Sequence, residues 1–411
     1  MERSFGKKKE TRMKKLLKMA GAIALVILGW SLIPNSALGQ GDLLNSTVNE
    51  SIFPLQEKHT HASSIVALPN GDLLTVWFEG SGERKADDVL LMGARKKSGE
   101  QGWSAPFLMA DTPGIPDCNP VLFLNQSGEL FLVWIAVLAN EWEHSILRVK
   151  RSQDYQKEGA PDWYWQDNIF LKPDSEFAEE VEKKWADLPP THLGWATYAP
   201  TYESLILEAS KDSKKRSIGW MTRIKPLMVG NRIILPLYSD GFNFSMMAIS
   251  EDQGNTWKPS LPLVGKGPIQ PALIQKNNGE ILAMLRDSGD APPKIQQSIS
   301  KDLGQSWTVA RKTDFPNTAS VELLELQDGR WWMVGNDLYD GRYQLALWIS
   351  SDEGEHWSPA QYLEFDPTHN GKFSYPALIQ DSKGLVHLTY SKHLKEGKTI
   401  QYRMLDPNLI H

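Results

Sequence analysis

Ser250-Glu-Asp-Gln-Gly-Asn-Thr-Trp257 recurs as Ser300-Lys-Asp-Leu-Gly-Gln-Ser-Trp307 and Ser350-Ser-Asp-Glu-Gly-Glu-His-Trp357, one S-x-D-x-G-x-x-W phrase at a spacing of 50 residues. A repeat of this length marks a chain built from stacked supersecondary units, most often the blades of a β-propeller. The phrase has a mechanical reading. Ser and Asp accept backbone N–H groups in a tight turn, Gly takes the φ > 0 position, and Trp plugs the space between sheets. The phrase therefore specifies a scaffold and carries no chemistry of its own.

A second repeat underlies the first. Six β-rich runs end in a polar turn whose last residue is Gly71, Gly128, Gly230, Gly279, Gly329 or Gly384, and a second β-rich run follows each. Each is a hairpin, so the fold class expected is all-β, a six-bladed β-propeller. Gly102-Trp103-Ser104 reads as a worn copy of the first phrase in blade 1. The last blade lacks a fourth strand, and residues 48–53 are expected to supply it, which closes the ring and protects the sheet edge. Gly128 and Gly230 are 102 residues apart, about twice the other spacings. The second blade is thus expected to carry an inserted, partly helical segment at about 153–217. Asp174 suits a helix cap, with Phe177, Val181 and Trp185 on one face. The insert's Trp163, Trp165, Trp185, Trp195, Tyr198 and Tyr202 fit either a sugar-stacking lid or a small satellite core.

The N-terminus reads as a targeting segment. Residues 3–18 hold eight Lys/Arg, residues 19–33 are an apolar run, and Ala37-Leu-Gly39 supplies small-x-small. Residues 1–39 are expected to be a signal peptide or an uncleaved signal anchor, leaving 40–411 as the propeller and placing it outside the cytoplasm, secreted or periplasmic. The remainder carries a net charge near −12, which argues against nucleic acid as a partner. Any membrane contact is assigned to the anchor alone. Cys118 is the only cysteine, so no intrachain disulfide forms and the fold rests on sheet packing.

Propeller sites lie at the axis, where the innermost strands begin. The residues just before the hairpin phrases there are His61, Asn119, Lys225, Gln270, Ser320 and Tyr375, a polar set suited to a polar ligand. The chain resembles the sialidase (neuraminidase) superfamily, in particular bacterial BNR-repeat sialidase-like proteins whose blade hairpins carry the Asp-box, over roughly residues 55–405. That resemblance implies an Arg of an R-I-P motif, two further Arg, an acid/base Asp, and a Tyr nucleophile assisted by Glu. Guanidinium groups clamp a substrate carboxylate by charge-assisted hydrogen bonds, and a Tyr nucleophile is a known departure from the two-carboxylate scheme.

Carried over by position, Tyr375 stands nine residues before Gly384 as the nucleophile, Arg286 follows the fourth hairpin, and Arg342 lies eight residues before Ser350. Two positions depart from the pattern. His61, in His61-Ala62-Ser63, replaces the R-I-P arginine, and Gln270, sixteen residues before Arg286, replaces the assisting Glu. An amide cannot take the tyrosine proton. His61 is read either as an anion donor or as the missing general base. The acid/base slot falls among Glu79, Glu83, Asp87 and Asp88, with Glu83 or Asp88 favoured because burial raises a carboxyl pKa. His59 and His61 share a strand face, but no third ligand accompanies them. Neither a metal nor another cofactor is expected.

The function implied is a secreted exo-acting glycoside hydrolase of sialidase type that releases a terminal acidic sugar, with a glycan as partner. The alternatives are a non-catalytic glycan-binding propeller, or an enzyme of uronic-acid or rhamnosyl-uronate glycans with His61 as base. In each, Arg286, Arg342, Gln270, Asn119, Lys225 and Ser320 bind, and in the two enzyme readings Tyr375, His61, Glu83 and Asp88 carry the chemistry.

Overall fold

The structure, a computed structural model, describes residue 44, residues 46–189 and residues 199–410, with side chains unassigned at 199–202. Residues 1–39, expected to be a signal peptide or signal anchor, lie outside these residues, as do Trp195, Tyr198 and the Tyr202 side chain. Among the described residues no helix is long and apolar enough to cross a membrane.

Six four-stranded antiparallel sheets form the propeller expected from the repeats. From the inner strand outward, blade 1 comprises His59–Ala67, Leu73–Gly80, Leu90–Lys96 and Phe107–Ala110, and blade 2 Asp117–Leu124, Leu130–Val137, Ser145–Ser152 and Trp165–Asn168. Blade 3 is Leu227–Val229, Arg232–Ser239, Phe244–Ser250 and Lys258–Pro259, and blade 4 is Pro268–Gln275, Ile281–Asp287, Lys294–Ser300 and Arg311–Pro316. Blade 5 is Glu322–Glu325, Trp331–Gly335, Gln344–Ser350 and Gln361–Phe365. Blade 6 begins with Lys372–Gln380, Val386–Leu394 and Gly397–Leu405, and its fourth strand is Val48–Ser51, paired Val48 to Met404 and Ser51 to Gln401. The N-terminal segment thus closes the ring, and just beyond it Phe53 stacks on Trp77 of blade 1 at 4.8 Å.

The three S-x-D-x-G-x-x-W phrases join third to fourth strands with one geometry. Ser250 Oγ accepts the Gly254 N–H at 2.8 Å, and Asp252 accepts the Thr256 N–H at 2.8 Å. The corresponding bonds at Ser300 and Asp302 are 2.8 and 2.9 Å, and both are 2.9 Å at Ser350 and Asp352. Gly254 sits at φ +91°, where a Cβ would also lie 2.6 Å from Phe131 of the preceding blade. Glycine is required there twice over, by conformation and by the neighbouring blade.

The span 153–217 contains the fourth strand of blade 2, and the helical insert follows that strand. Helix α1 (Ser175–Ala186) is capped by Asp174, which accepts the Glu176 N–H at 3.0 Å, and buries Phe177 and Val181. Phe177 meets Trp220 and Phe242 edge-on at 6.0 and 5.6 Å. Helix α2 (Ala199–Lys211) follows. Phe177 and Val181 belong to the main core and Trp163 and Trp185 pack against it, so these residues join that core instead of forming a separate satellite core or a lid, whereas Trp165 faces solvent on the outer strand of blade 2.

Candidate active site at the propeller axis

Four inner strands break register at the same depth: between His61 and Ser64, Cys118 and Val121, Ile269 and Ala272, and Ser374 and Ala377. Each bulge holds a non-glycine residue in the left-handed region: Ala62 at φ 55°, Asn119 at 49°, Gln270 at 54° and Tyr375 at 60°. A bulge re-aims a side chain, and left-handed backbone at such residues costs on the order of 1–3 kcal/mol and concentrates at functional sites. Blades 3 and 5 have shorter inner strands, starting at Leu227 and Glu322, with no such residue at Lys225 or Ser320.

The bulges, the ends of the second strands and the loops that follow them enclose a cavity of about 260 Å3. It gathers His61, Glu83, Asn119, Gln270, Arg286, Arg342 and Tyr375, seven of the ten residues expected from sequence. Tyr375 is its centre. Its Oη accepts hydrogen bonds from Arg286 Nη1 at 3.1 Å and Gln270 Nε2 at 3.3 Å, and the Arg342 guanidinium lies 5.4 Å from the ring. Burial pushes the phenol up, but Arg286 and Arg342 outweigh it and hold Tyr375 below the usual tyrosine value.

His61 packs against this ring with the two planes tilted by 49° and centroids 4.0 Å apart, and its Nδ1 bonds Ser391 Oγ at 2.7 Å. Burial, then the charges of His393 and Arg342, push it well below the ordinary histidine range. With its pKa lowered in this way, His61 offers an anionic ligand a neutral N–H rather than a cation. Asn119 donates to Tyr238 Oη at 3.1 Å. Glu83 bonds His59 Nε2 at 3.0 Å. Burial alone raises the Glu83 carboxyl, but His59, Arg342 and Arg84 together bring it below its ordinary value. Glu83 is therefore an ionised carboxylate, contrary to the expected raised pKa.

Three expected residues lie elsewhere. Asp88 is exposed and accepts the Ser81 N–H at 3.1 Å and the Ser81 hydroxyl at 2.8 Å, which makes it a loop cap. Lys225 pairs with Glu322 at 2.5 Å and donates to the Leu323 carbonyl at 2.8 Å. The pair links blades 3 and 5, which are not neighbours in the ring, so it braces the central channel, and Lys225 is not among the residues that line the cavity. Ser320 is fully buried away from the cavity lining. The other loop acids are also committed to structure, Glu79 to Trp77 Nε1 at 3.1 Å and Asp87 to Asn140 Nδ2 at 2.8 Å. Lys225→Ala would leave Glu322 buried and unpaired, and chemical denaturation should register a loss of about 3–5 kcal/mol.

Four residues of the site were missed. Arg223, fully buried, lies 4.7 Å from the Tyr375 ring centre and donates to the carbonyls of Pro376 at 3.0 Å and Ser63 at 3.3 Å. It ties the two bulged segments together, and burial lowers its pKa to about 10. Its signal was Arg223-Ile-Lys-Pro226, one residue longer than R-I-P. Tyr238 and Asp240 come from the end of the second strand in blade 3 and the loop after it, and Trp142 from the corresponding loop of blade 2. Strand ends were the signal here: Phe78 and Arg286 each stand seven residues past their turn glycines, Gly71 and Gly279. Burial raises the Asp240 carboxyl, against the opposing charge of Arg286.

His393 adds a pH dependence. It bonds the Thr60 carbonyl at 2.7 Å, and burial pushes it down to about 4. His61 is lowered in the same direction. The unfolded chain binds protons on both near pH 6.5 and the folded chain does not, so stability present above that pH is lost as it falls toward 4. His393 alone accounts for about 3 kcal/mol of that loss. Urea titrations at several pH values should show the slope, reduced in His393→Gln.

A model of the BNR repeat-like domain matches residues 71–222 and 212–388. The chain belongs to the BNR repeat-like domain family. Its fold is that of sialidase-like BNR propellers. A protein of unknown function from Dyadobacter fermentans is similar at a TM-score of 0.64 and 17% identity, covering 88% of this chain and 98% of its own. The NanB sialidase from Streptococcus pneumoniae is similar at 0.61 and 12%, covering 90% and 71%. The intramolecular trans-sialidase from Ruminococcus gnavus is similar at 0.60 and 13%, covering 87% and 96%. At these identities the likeness shows the shared fold. No curated protein sequence matches the chain.

Proposed function

We propose that this BNR propeller is an extracytoplasmic glycoside hydrolase that releases a terminal acidic sugar from a glycan. The observation that carries the reading is the convergence of Arg286 and Arg342 on Tyr375 inside one polar cavity. Two guanidinium groups suit a carboxylate, and a phenol that accepts two hydrogen bonds and is lowered by positive charge suits attack at an anomeric carbon. In the first half-reaction the Tyr375 Oη–carbon bond forms as the glycosidic bond breaks. The leaving oxygen takes a proton from Asp240, the cavity carboxyl whose burial favours the protonated form. Gln270 cannot accept the tyrosine proton, and Glu83 is the ionised carboxylate the cavity offers for it. Water then attacks the anomeric carbon and gives a proton to the Asp240 carboxylate, while the Tyr375 Oη–carbon bond breaks and Oη recovers its proton from Glu83.

A second reading, a non-catalytic glycan-binding propeller, draws on one observation, the amide of Gln270 beside the phenol. Assays of the purified protein on aryl sialosides and aryl uronosides separate the two. Hydrolysis is expected, with Arg286→Lys raising KM about tenfold or more for the acidic glycoside by losing a bidentate contact. Saturable binding of these glycosides without turnover sinks the enzyme reading.

A further inference from the structure

On the outer rim, far in topology from the axial cavity, a groove of about 330 Å3 runs between the outer strands of blade 2 and the S-x-D-x-G-x-x-W turn of blade 3. Its volume falls at the lower end of the small-molecule range. Two rings stand in it largely uncovered, Tyr164 at 57% exposure and Trp165 at 47%. In the ladder Arg151 pairs with Trp165 and Val149 with Asp167, so the strand alternation sets Arg151, Trp165 and Asp167 on one face.

The base of the groove is fixed. Arg151 ion-pairs with the buried Glu129 at 2.9 Å and donates to Asn255 Oδ1 at 2.9 and 3.0 Å. Tyr164 Oη also bonds Glu129, which holds the ring in place. The Arg151 charge is thereby neutralised, so the groove offers no free cation to an acidic ligand, unlike the axial cavity. Among the described residues the Asn168 side-chain amide has no partner, and Asp167 spends one oxygen on the Asn168 N–H at 2.7 Å. Flat apolar faces alternate with short polar groups, which match the C–H faces and hydroxyl edges of a sugar. A protein partner would favour an unbroken apolar patch.

We propose that this groove is a second carbohydrate site, which holds an uncharged segment of glycan on the Trp165 and Tyr164 rings. It stands on residues separate from the axial site and does not depend on the activity proposed there. The test is affinity electrophoresis of the full chain through gels containing galactan, mannan or β-glucan, beside gels without polysaccharide. At least one polysaccharide is expected to retard the protein. Trp165→Ala, which removes an exposed ring and should melt at the parent temperature, is expected to weaken that interaction about tenfold or more. Turnover of a small aryl glycoside should be unchanged in the same variant. Three outcomes overturn the proposal: no retardation in any gel, equal retardation of Trp165→Ala, or an effect of Trp165→Ala on self-association alone.

Discussion

Tyr375→Phe is expected to lower kcat/KM on an acidic aryl glycoside by roughly 10³-fold or more, equivalent to ~4 kcal/mol of transition-state stabilisation. Phe keeps the ring that packs on His61 at 4.0 Å and lies 4.7 Å from the Arg223 guanidinium, so the wall of the cavity persists. Only Oη is lost, with the hydrogen bonds from Arg286 and Gln270. The pH dependence separates a reacting phenol from a packing residue. With Glu83 as base and Asp240 as acid, the rate should rise as Glu83 ionises and fall as Asp240 loses its proton, and Tyr375→Phe should flatten both limbs. A Phe variant with parental kcat/KM would remove Tyr375 from the chemistry.

A chain that starts at residue 54 is expected to lose cooperative folding. That truncation removes the fourth strand of blade 6 and with it Ile52 and Phe53, which are 5% and 7% exposed. Each such side chain buries about 1.5–3 kcal/mol, and the strand Gly397–Leu405 would become an open sheet edge. The sum is comparable to the total stability of a typical fold, about 5–15 kcal/mol. Phe53→Ala isolates one part of it, the stack on Trp77, and should cost about 3–5 kcal/mol. Circular dichroism melts and size exclusion report both. A truncated chain that melts sharply at the parental temperature would show that the ring holds without its closing strand.

The axial residues were legible because three of them sit at matching offsets in a repeat. Asn119, Gln270 and Tyr375 each precede a proline at the start of a hairpin phrase, and each occupies the left-handed bulge position. Lys225 has the same offset and also precedes a proline, yet its blade lacks the bulge and its ammonium turns to Glu322. Offset alone therefore could not tell a ligand position from a brace. The loop acids were less legible still. Asp88 and Glu83 are five residues apart, and only the fold decides that one caps Ser81 while the other meets His59.

Sequence alone determined the scaffold: six hairpins, three turns of fixed geometry, a strand borrowed from residues 48–53 and a capped helix in the insert at 153–217. Those features are local, set by turn chemistry and by alternation within about 50 residues, and so they can be read along the chain. Tertiary structure decided the site. Arg223 reaches Pro376 and Ser63 across the channel, Asp240 gains a raised pKa by burial, and Glu83 loses its own to His59. The Arg223 contacts join blades far apart in sequence. Even the Glu83–His59 pair within blade 1 depends on burial and on charges such as Arg342 that other blades supply, so these pKa shifts follow from distances fixed only when the ring closes.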